Sequence, residues 1–96
     1  MIFFIVSTPF IWYFLEMDNL DKSVGITIKK IRLGKGLTQQ DLAYKTNLHR
    51  TYISQLERGL KSVTFKTLFR ISKALEISFG LLVEEILIEN EKVFPK

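Results

Sequence analysis

Residues 37–59, LTQQDLAYKTNLHRTYISQLERG, constrain the fold more than any other part of this chain. Thr38 and Asp41 have the spacing of a capping box, which opens a helix by bonding its first free backbone groups, with Asp here in place of Glu. Asn47 is one of the few residue types besides glycine that tolerate a left-handed turn, and Gly59 can end a helix. The segment therefore predicts two short helices joined by a turn of about three residues.

The second of these helices has an apolar side and a polar side. At about 100° per residue, Ile53 and Leu56 fall on the core side and Tyr52 lies at the boundary. The opposite arc, about 140° wide, holds Arg50, Thr51, Ser54, Gln55 and Arg58. Arginine and glutamine can form paired hydrogen bonds with guanine and adenine, and hydroxyls bond several base edges. Most helices in small proteins have one polar face, so the arc alone also fits a solvated surface.

The surroundings of this helix favour a DNA-contacting role. Ala43 is small enough for the two helices to cross closely, and Leu48 fills the turn between them. A capped helix, a tight turn and a second helix with a long polar face form a helix-turn-helix.

Charge is concentrated in the same half of the chain. The formal net charge is +4, and residues 17–63 hold nine lysines and arginines against four acids, whereas residues 64–96 hold five of each. This distribution favours a polyanion, either nucleic acid or anionic lipid, although small soluble domains often carry a modest excess. Cysteine is absent, which fits a cytoplasmic protein, and the single His49 cannot form a multi-histidine metal site. With no nucleophile–base pair and no phosphate-binding glycine loop, we expect no catalytic residue, metal or cofactor.

Three further helices flank this pair, and no segment alternates with the two-residue period of a strand. The first helix is basic, carries Ile28, Ile31 and Leu33 on its apolar stripe, and ends near residues 34–36. Thr64 and Ser78 are predicted to cap a fourth and a fifth helix. The inward residues of the fourth helix are Leu68, Ile71 and Leu75. We predict an all-α, compact five-helix domain, followed by a frayed polar tail at residues 89–96.

The fourth and fifth helices carry more apolar surface than one small core can absorb, and exposed apolar patches commonly mark interfaces. We therefore predict a homodimer built on the fifth helix, with help from the end of the fourth; the alternative is that some of these apolar residues only wrap the core. Its predicted interface residues, which have helical spacing, are Phe79, Leu82, Val83 and Ile86.

Residues 2–15, IFFIVSTPFIWYFL, are apolar but broken by Pro9 and shorter than the roughly 20 residues of a membrane span. They also lack the basic start of a secretory signal. We expect residues 1–16 to be an extension outside the native protein, with translation starting at Met17 and the domain covering residues 17–96. Two alternatives stay open: the extension packs on the domain, or it anchors a membrane-associated or partner-binding module.

The segment LTQQDLAYKTNLHRTYISQLERG resembles the Cro/lambda-repressor-type (XRE-like) helix-turn-helix family, and RTYIS with LERG is most similar to controller proteins of restriction–modification systems. The resemblance implies a five-helix, lambda-repressor-like fold and a homodimer on a pseudo-palindromic operator in double-stranded DNA. It further implies activation of the protein's own gene and an endonuclease gene, with RNA polymerase as a partner, and repression when a second dimer binds. A phage-type repressor or an antitoxin of the same fold is the alternative.

The resemblance also implies residue roles. Gln39 holds a phosphate, and Arg58 binds the DNA backbone where the third helix leaves the groove. Lys61 and Ser62 reach the flanking backbone or the minor groove. The residues implied to face the major groove are Arg50, Thr51, Tyr52, Ser54 and Gln55.

The chain departs from the family pattern at two positions, and the resemblance also implies one structural ion pair. Asn47 and His49 belong to the implied DNA-binding turn, but relatives often have Ser or Asp where this chain has His49, which either touches a phosphate or faces solvent. Relatives often have proline where this chain has Val63. Arg32 and Glu57 are implied to form a structural ion pair, which makes Glu57 neither a DNA contact nor a catalyst.

Overall fold

The computed structural model describes residues 19–93, which form five helices and no strand. Helix α1 covers residues 19–34 of this range. The other four helices are α2 (Gln39–Thr46), α3 (Arg50–Glu57), α4 (Phe65–Ala74) and α5 (Phe79–Val93). The predicted all-α, five-helix domain is confirmed. The expectations for residues 1–16 lie outside the described residues.

Side-chain caps open three of the helices where the sequence predicts them. The Thr38 hydroxyl accepts from the Asp41 N–H at 3.0 Å, and the Asp41 carboxylate accepts from the Thr38 N–H at 2.9 Å. Hydrogen bonding from the Thr38 backbone lowers the pKa of Asp41. The hydroxyls of Thr64 and Ser78 each accept from the backbone N–H three residues later, both at 3.1 Å. These caps satisfy donors that a helix start leaves free, and so fix where each helix begins.

The ends of α1 to α4 share one backbone motif. Each helix is followed by a residue with positive φ, and the next residue donates its N–H to a carbonyl five positions back, as Leu60 does to Gln55 at 2.9 Å. This is the hydrogen bonding of a Schellman motif. The positive-φ residues are Gly36 (72°), Asn47 (57°), Gly59 (75°) and Glu76 (56°). Asn47 and Gly59 thus end their helices as predicted.

The core is apolar and draws on all five helices. The buried apolar residues are Val24, Ile28, Leu42, Ala43, Ile53, Leu56, Leu68, Ile71, Leu75, Leu82 and Ile86. The expectation that Leu33 belongs to the stripe of α1 is wrong, because its side chain is 57% exposed. Five residues after Ile28, it lies about 140° around the helix, on the opposite side.

The predicted interface residues on α5 fall into two groups. Leu82 and Ile86 are 0% and 3% exposed, so they pack in the protomer's own core and have no surface to offer a second copy. Phe79 and Val83 are half-buried against the same core. The stripe at helical spacing is the side of α5 that faces α4 and α1, which corrects the assignment of Leu82 and Ile86 to an interface.

The predicted tail at residues 89–96 is also corrected in part, because α5 continues to Val93. Glu89 is buried and accepts from Lys30 Nζ at 2.7 Å. The Ser23 hydroxyl donates to Asn90 Oδ1 at 3.0 Å. These bonds to α1 hold residues 89 and 90 in the helix. No helix within residues 19–93 is long and apolar enough to cross a membrane.

The approach of α1 to the end of α3 gives a stability prediction. A Cβ on Gly25 would lie 2.4 Å from the Leu56 carbonyl oxygen and 2.7 Å from that of Glu57, both backbone atoms that cannot rotate away. We expect Gly25→Ala to lower the free energy of unfolding by about 1–3 kcal/mol, as overpacking does. Urea unfolding followed by circular dichroism measures the change.

Gly80→Ala is the matched control, since a Cβ there meets nothing within 4 Å. Replacing a helical glycine by alanine in open space should raise stability by up to about 1 kcal/mol. Equal stability of Gly25→Ala and the wild type would contradict the close packing of α1 on α3.

Candidate nucleic-acid interface

Helices α2 and α3 are joined by Asn47, Leu48 and His49 alone. Ala43 is buried where the helices cross, and Leu48 is half-buried against the core. His49 is exposed at the start of α3, and its side chain makes no capping hydrogen bond. The tight turn and the close crossing form the predicted helix-turn-helix and hold α3 in a fixed direction.

The polar arc of α3 faces outward. Arg50, Thr51 and Arg58 are exposed, and Ser54 and Gln55 are half-buried, whereas Ile53 and Leu56 are fully buried. The structure brings four of these polar residues together with one residue of α2. An open cleft of about 260 Å³ is lined by Gln39, Arg50, Thr51, Ser54 and Arg58. Both helices therefore contribute donors to a single surface.

A buried ion pair lies directly behind this cleft. Arg32 Nε donates to Glu57 Oε2 at 2.7 Å, and Nη2 donates to Oε1 at 2.9 Å. The remaining Nη1 donates to the Leu37 carbonyl oxygen at 2.7 Å. Gln39 Nε2 donates to Glu57 Oε1 at 3.0 Å. The carboxylate of Glu57 thus connects α1, α2 and α3, and a side chain that lines the cleft is bonded to it.

Tyr52 and Asn47 lie at the margins of the surface. The Tyr52 ring is half-buried and packs against the core, and this burial raises the pKa of its hydroxyl. Tyr52 therefore stays a neutral hydrogen-bond donor near pH 7. Asn47 is exposed, and its left-handed backbone sets the turn.

The loop after α3 is held by α1. Lys61 and Ser62 are exposed, but the Ser62 hydroxyl donates to Asp21 Oδ2 at 2.8 Å. A Cβ on Gly59 would lie 2.8 Å from Lys22 Cγ, so Lys22 packs beside the end of α3. The Asp21–Ser62 contact orients the loop that carries Lys61.

Two residues in this region were not predicted from the sequence. Lys22 is exposed at the end of α3, and only the general basicity of α1 could have indicated it. Leu60 is 62% exposed. Its position as a lone apolar residue between Gly59 and Lys61 could have indicated that it lies at the surface. Both extend the surface beyond the polar arc.

The surface carries cationic groups that the described part of the chain does not neutralise. Among residues 19–93, only Lys30 and Arg32 form ion pairs. Arg50, Arg58 and Lys61 therefore have no acidic partner within that range. No group of three or more residues there could hold a metal ion. An exposed row of arginine, hydroxyl and amide groups on a rigid helix is suited to phosphates and base edges.

Comparisons with known proteins agree with this geometry. The Helix-turn-helix family model matches residues 28–82. The control protein C.BamHI of Bacillus amyloliquefaciens is 41% identical over 61 residues, covering 62% of this chain and 75% of that protein. The immunity repressor protein of Bacillus phage phi105 is 41% identical over 71 residues, covering 73% of this chain and 49% of that protein.

A solved structure is similar in both sequence and fold. It is that of the restriction–modification controller protein C.Esp1396I, a tetramer in complex with its natural 35-base-pair operator. The identity is 51% and the TM-score is 0.70, with 74% of this chain and 93% of that chain covered.

The buried ion pair gives a second stability prediction. Arg32→Met leaves the Glu57 carboxylate buried without its cation, which should lower the free energy of unfolding by about 3–5 kcal/mol. Replacing both partners, in Arg32→Met/Glu57→Met, leaves no unpaired charge and should cost far less. Urea unfolding of both variants tests this difference.

Lys29→Met is the control, because Lys29 is exposed on the same helix, and its effect should stay within about 0.5 kcal/mol. A double variant that is less stable than Arg32→Met would contradict this account of the pair.

Proposed function

Because this chain belongs to the Helix-turn-helix family, we propose that it is a sequence-specific DNA-binding regulator of transcription. More narrowly, we propose a restriction–modification controller protein that binds operator DNA as a homodimer. The observation that carries the proposal is the outward face of α3, where arginine and hydroxyl groups line one cleft with Gln39. The similarity to C.BamHI and C.Esp1396I supports the narrower assignment.

The proposed contacts divide by chemistry. We propose that Gln39 and Arg58, which line the cleft, and Lys61 in the loop after α3 bind phosphates. Such contacts with the DNA backbone supply affinity and make binding depend on salt. His49 and Asn47 border the same surface, and Ser62 contributes through its loop. The side chains proposed to face base edges in the major groove are Arg50, Thr51, Tyr52, Ser54 and Gln55.

For the dimer, we propose a surface made of Phe65, Phe69 and Phe79, which we term the aromatic patch. The Phe79 ring packs edge-on against Phe65 and Phe69, with centroid distances of 4.7 and 5.6 Å. Phe65 is 76% exposed. An apolar groove beside the patch continues along α1 and α5 past Val83 and Leu87. A two-fold axis through this surface suits two α3 helices about 34 Å apart on successive major grooves.

The proposed regulation depends on the concentration of the protein. One dimer activates transcription of the protein's own gene and of an endonuclease gene, through contact with RNA polymerase, and a second dimer on the same DNA represses it. The protein acts in the cytoplasm and is not an enzyme. The rival within the same family is a phage-type repressor, which the similarity to the phi105 protein favours. An endonuclease gene next to this gene distinguishes the two.

Arg50→Ala tests the base-recognition role. Loss of a paired hydrogen bond to a base should cost about 1–3 kcal/mol on the specific site and relax base preference there. DNase footprinting on the DNA just upstream of the protein's own gene locates the site, and fluorescence anisotropy on that duplex measures affinity. Arg58→Ala should instead weaken specific and unrelated duplexes alike. An Arg50→Ala variant with unchanged discrimination would exclude the assigned role.

The aromatic patch gives a prediction about assembly. We expect the protein to sediment as a dimer at micromolar concentration, and Phe65→Ser/Phe69→Ser to shift it to monomer, because the change removes apolar area from the interface. Tyr44→Ser is the control, since Tyr44 is 86% exposed on α2, outside the patch. A wild-type protein that sediments only as monomer, or a control that dissociates equally, would argue against the patch.

A further inference from the structure

The amide of Gln39 is fixed before any ligand arrives. Its Nε2 donates to Glu57 Oε1 at 3.0 Å, and the same oxygen accepts from Arg32 Nη2 at 2.9 Å. A carboxylate has no proton to donate, so the nitrogen end of the amide must face Glu57. The orientation of the amide is therefore set by chemistry, although oxygen and nitrogen are hard to distinguish by shape.

One donor of this amide remains available. An amide nitrogen carries two protons, and only one is used by Glu57. Gln39 is half-buried and lines the cleft with Arg50 and Arg58, and within residues 19–93 its side chain makes no hydrogen bond besides that to Glu57. A phosphate oxygen is an acceptor and requires a donor at that position.

Arg32 makes this arrangement compatible with an anionic ligand. A lone carboxylate behind the cleft would repel a phosphate. Arg32 neutralises Glu57 with two hydrogen bonds, so the carboxylate can accept from Gln39 without adding net charge to the surface. A free glutamine side chain also loses rotamer freedom when it binds, and a pre-oriented one has less to lose.

We propose that Glu57 is a positioning residue for the DNA backbone contact: held by Arg32, it orients the Gln39 amide so that the second N–H meets a phosphate oxygen. The proposal rests on the proposed function for its ligand. It gives the buried pair a role in binding in addition to its role in stability. Glu57 itself touches no DNA.

A double-mutant cycle tests the proposal. The two backgrounds are the wild type and Arg32→Met/Glu57→Met, which removes the carboxylate without leaving a buried charge. Affinity is measured by anisotropy on the duplex upstream of the protein's own gene and on an unrelated duplex. Gln39→Ala should weaken wild-type binding to both duplexes about fivefold, as for one lost hydrogen bond.

Arg32→Met/Glu57→Met alone should weaken binding by a similar factor, and Gln39→Ala should then have no further effect. Factors that multiply across the two backgrounds would overturn the proposal, because Glu57 would then act on the fold alone. Gln40→Ala is the matched control: Gln40 is the exposed neighbour of Gln39 and should leave affinity unchanged.

A second measurement uses the unaltered protein without DNA. Hindered rotation about the amide C–N bond keeps the two side-chain amide protons of any glutamine distinct, so the comparison is between Gln39 and Gln40. In nitrogen–proton NMR spectra, the Gln39 proton bonded to Glu57 should be shifted from, and exchange more slowly than, either side-chain amide proton of Gln40. Those of Gln40 should resemble a solvated amide. Gln39 amide protons with the same shifts and exchange rates as those of Gln40 would overturn the positioning role even if DNA binds well. A fixed Gln39 amide in a protein that binds neither duplex would instead refute the proposed function and its phosphate ligand.

Discussion

Burial of the Glu57 carboxylate is possible only because donors surround it. A charge removed from water needs a partner and further hydrogen bonds, or the fold loses more than it gains. Arg32 supplies two of these bonds and donates a third hydrogen bond, from Nη1, to the Leu37 carbonyl. The guanidinium therefore joins the end of α3 to α1 and to the segment before α2. The pair therefore contributes to the relative placement of these three helices.

The end of α3 is fixed from two sides. The ion pair acts through side chains, and Gly25 allows the backbone of α1 to approach the Leu56 carbonyl closely. A helix of eight residues is not stable by itself in water, so the direction of α3 comes from these contacts and from its buried residues. The exposed arc is then presented on a rigid support, which reduces the ordering cost of binding.

Local chemistry explains what could be predicted from the sequence. The caps at Thr38, Thr64 and Ser78 and the turn at Asn47 involve atoms within a few residues, and helical spacing was enough to place Ile53 and Leu56 in the core. The lambda-repressor-like resemblance further suggested the Arg32–Glu57 contact, which no spacing rule would have given.

The features that could not be predicted are contacts between helices that are distant in sequence. A stripe on α5 does not reveal whether it faces the same chain or a second one, so Leu82 and Ile86 were assigned to the wrong surface. Glu89 was placed in a frayed polar tail, whereas in the structure it forms an ion pair with Lys30 of α1. The bond from Gln39 to Glu57 spans 18 positions, and Ser62 meets Asp21 across 41. The repeated Schellman ends of α1 to α4, by contrast, use only neighbouring residues, and chains rich in such local contacts fold rapidly. Newly made copies should therefore reach the folded state quickly, so that, under the function proposed above, the time needed to accumulate the dimer would be set by synthesis and by the meeting of two copies.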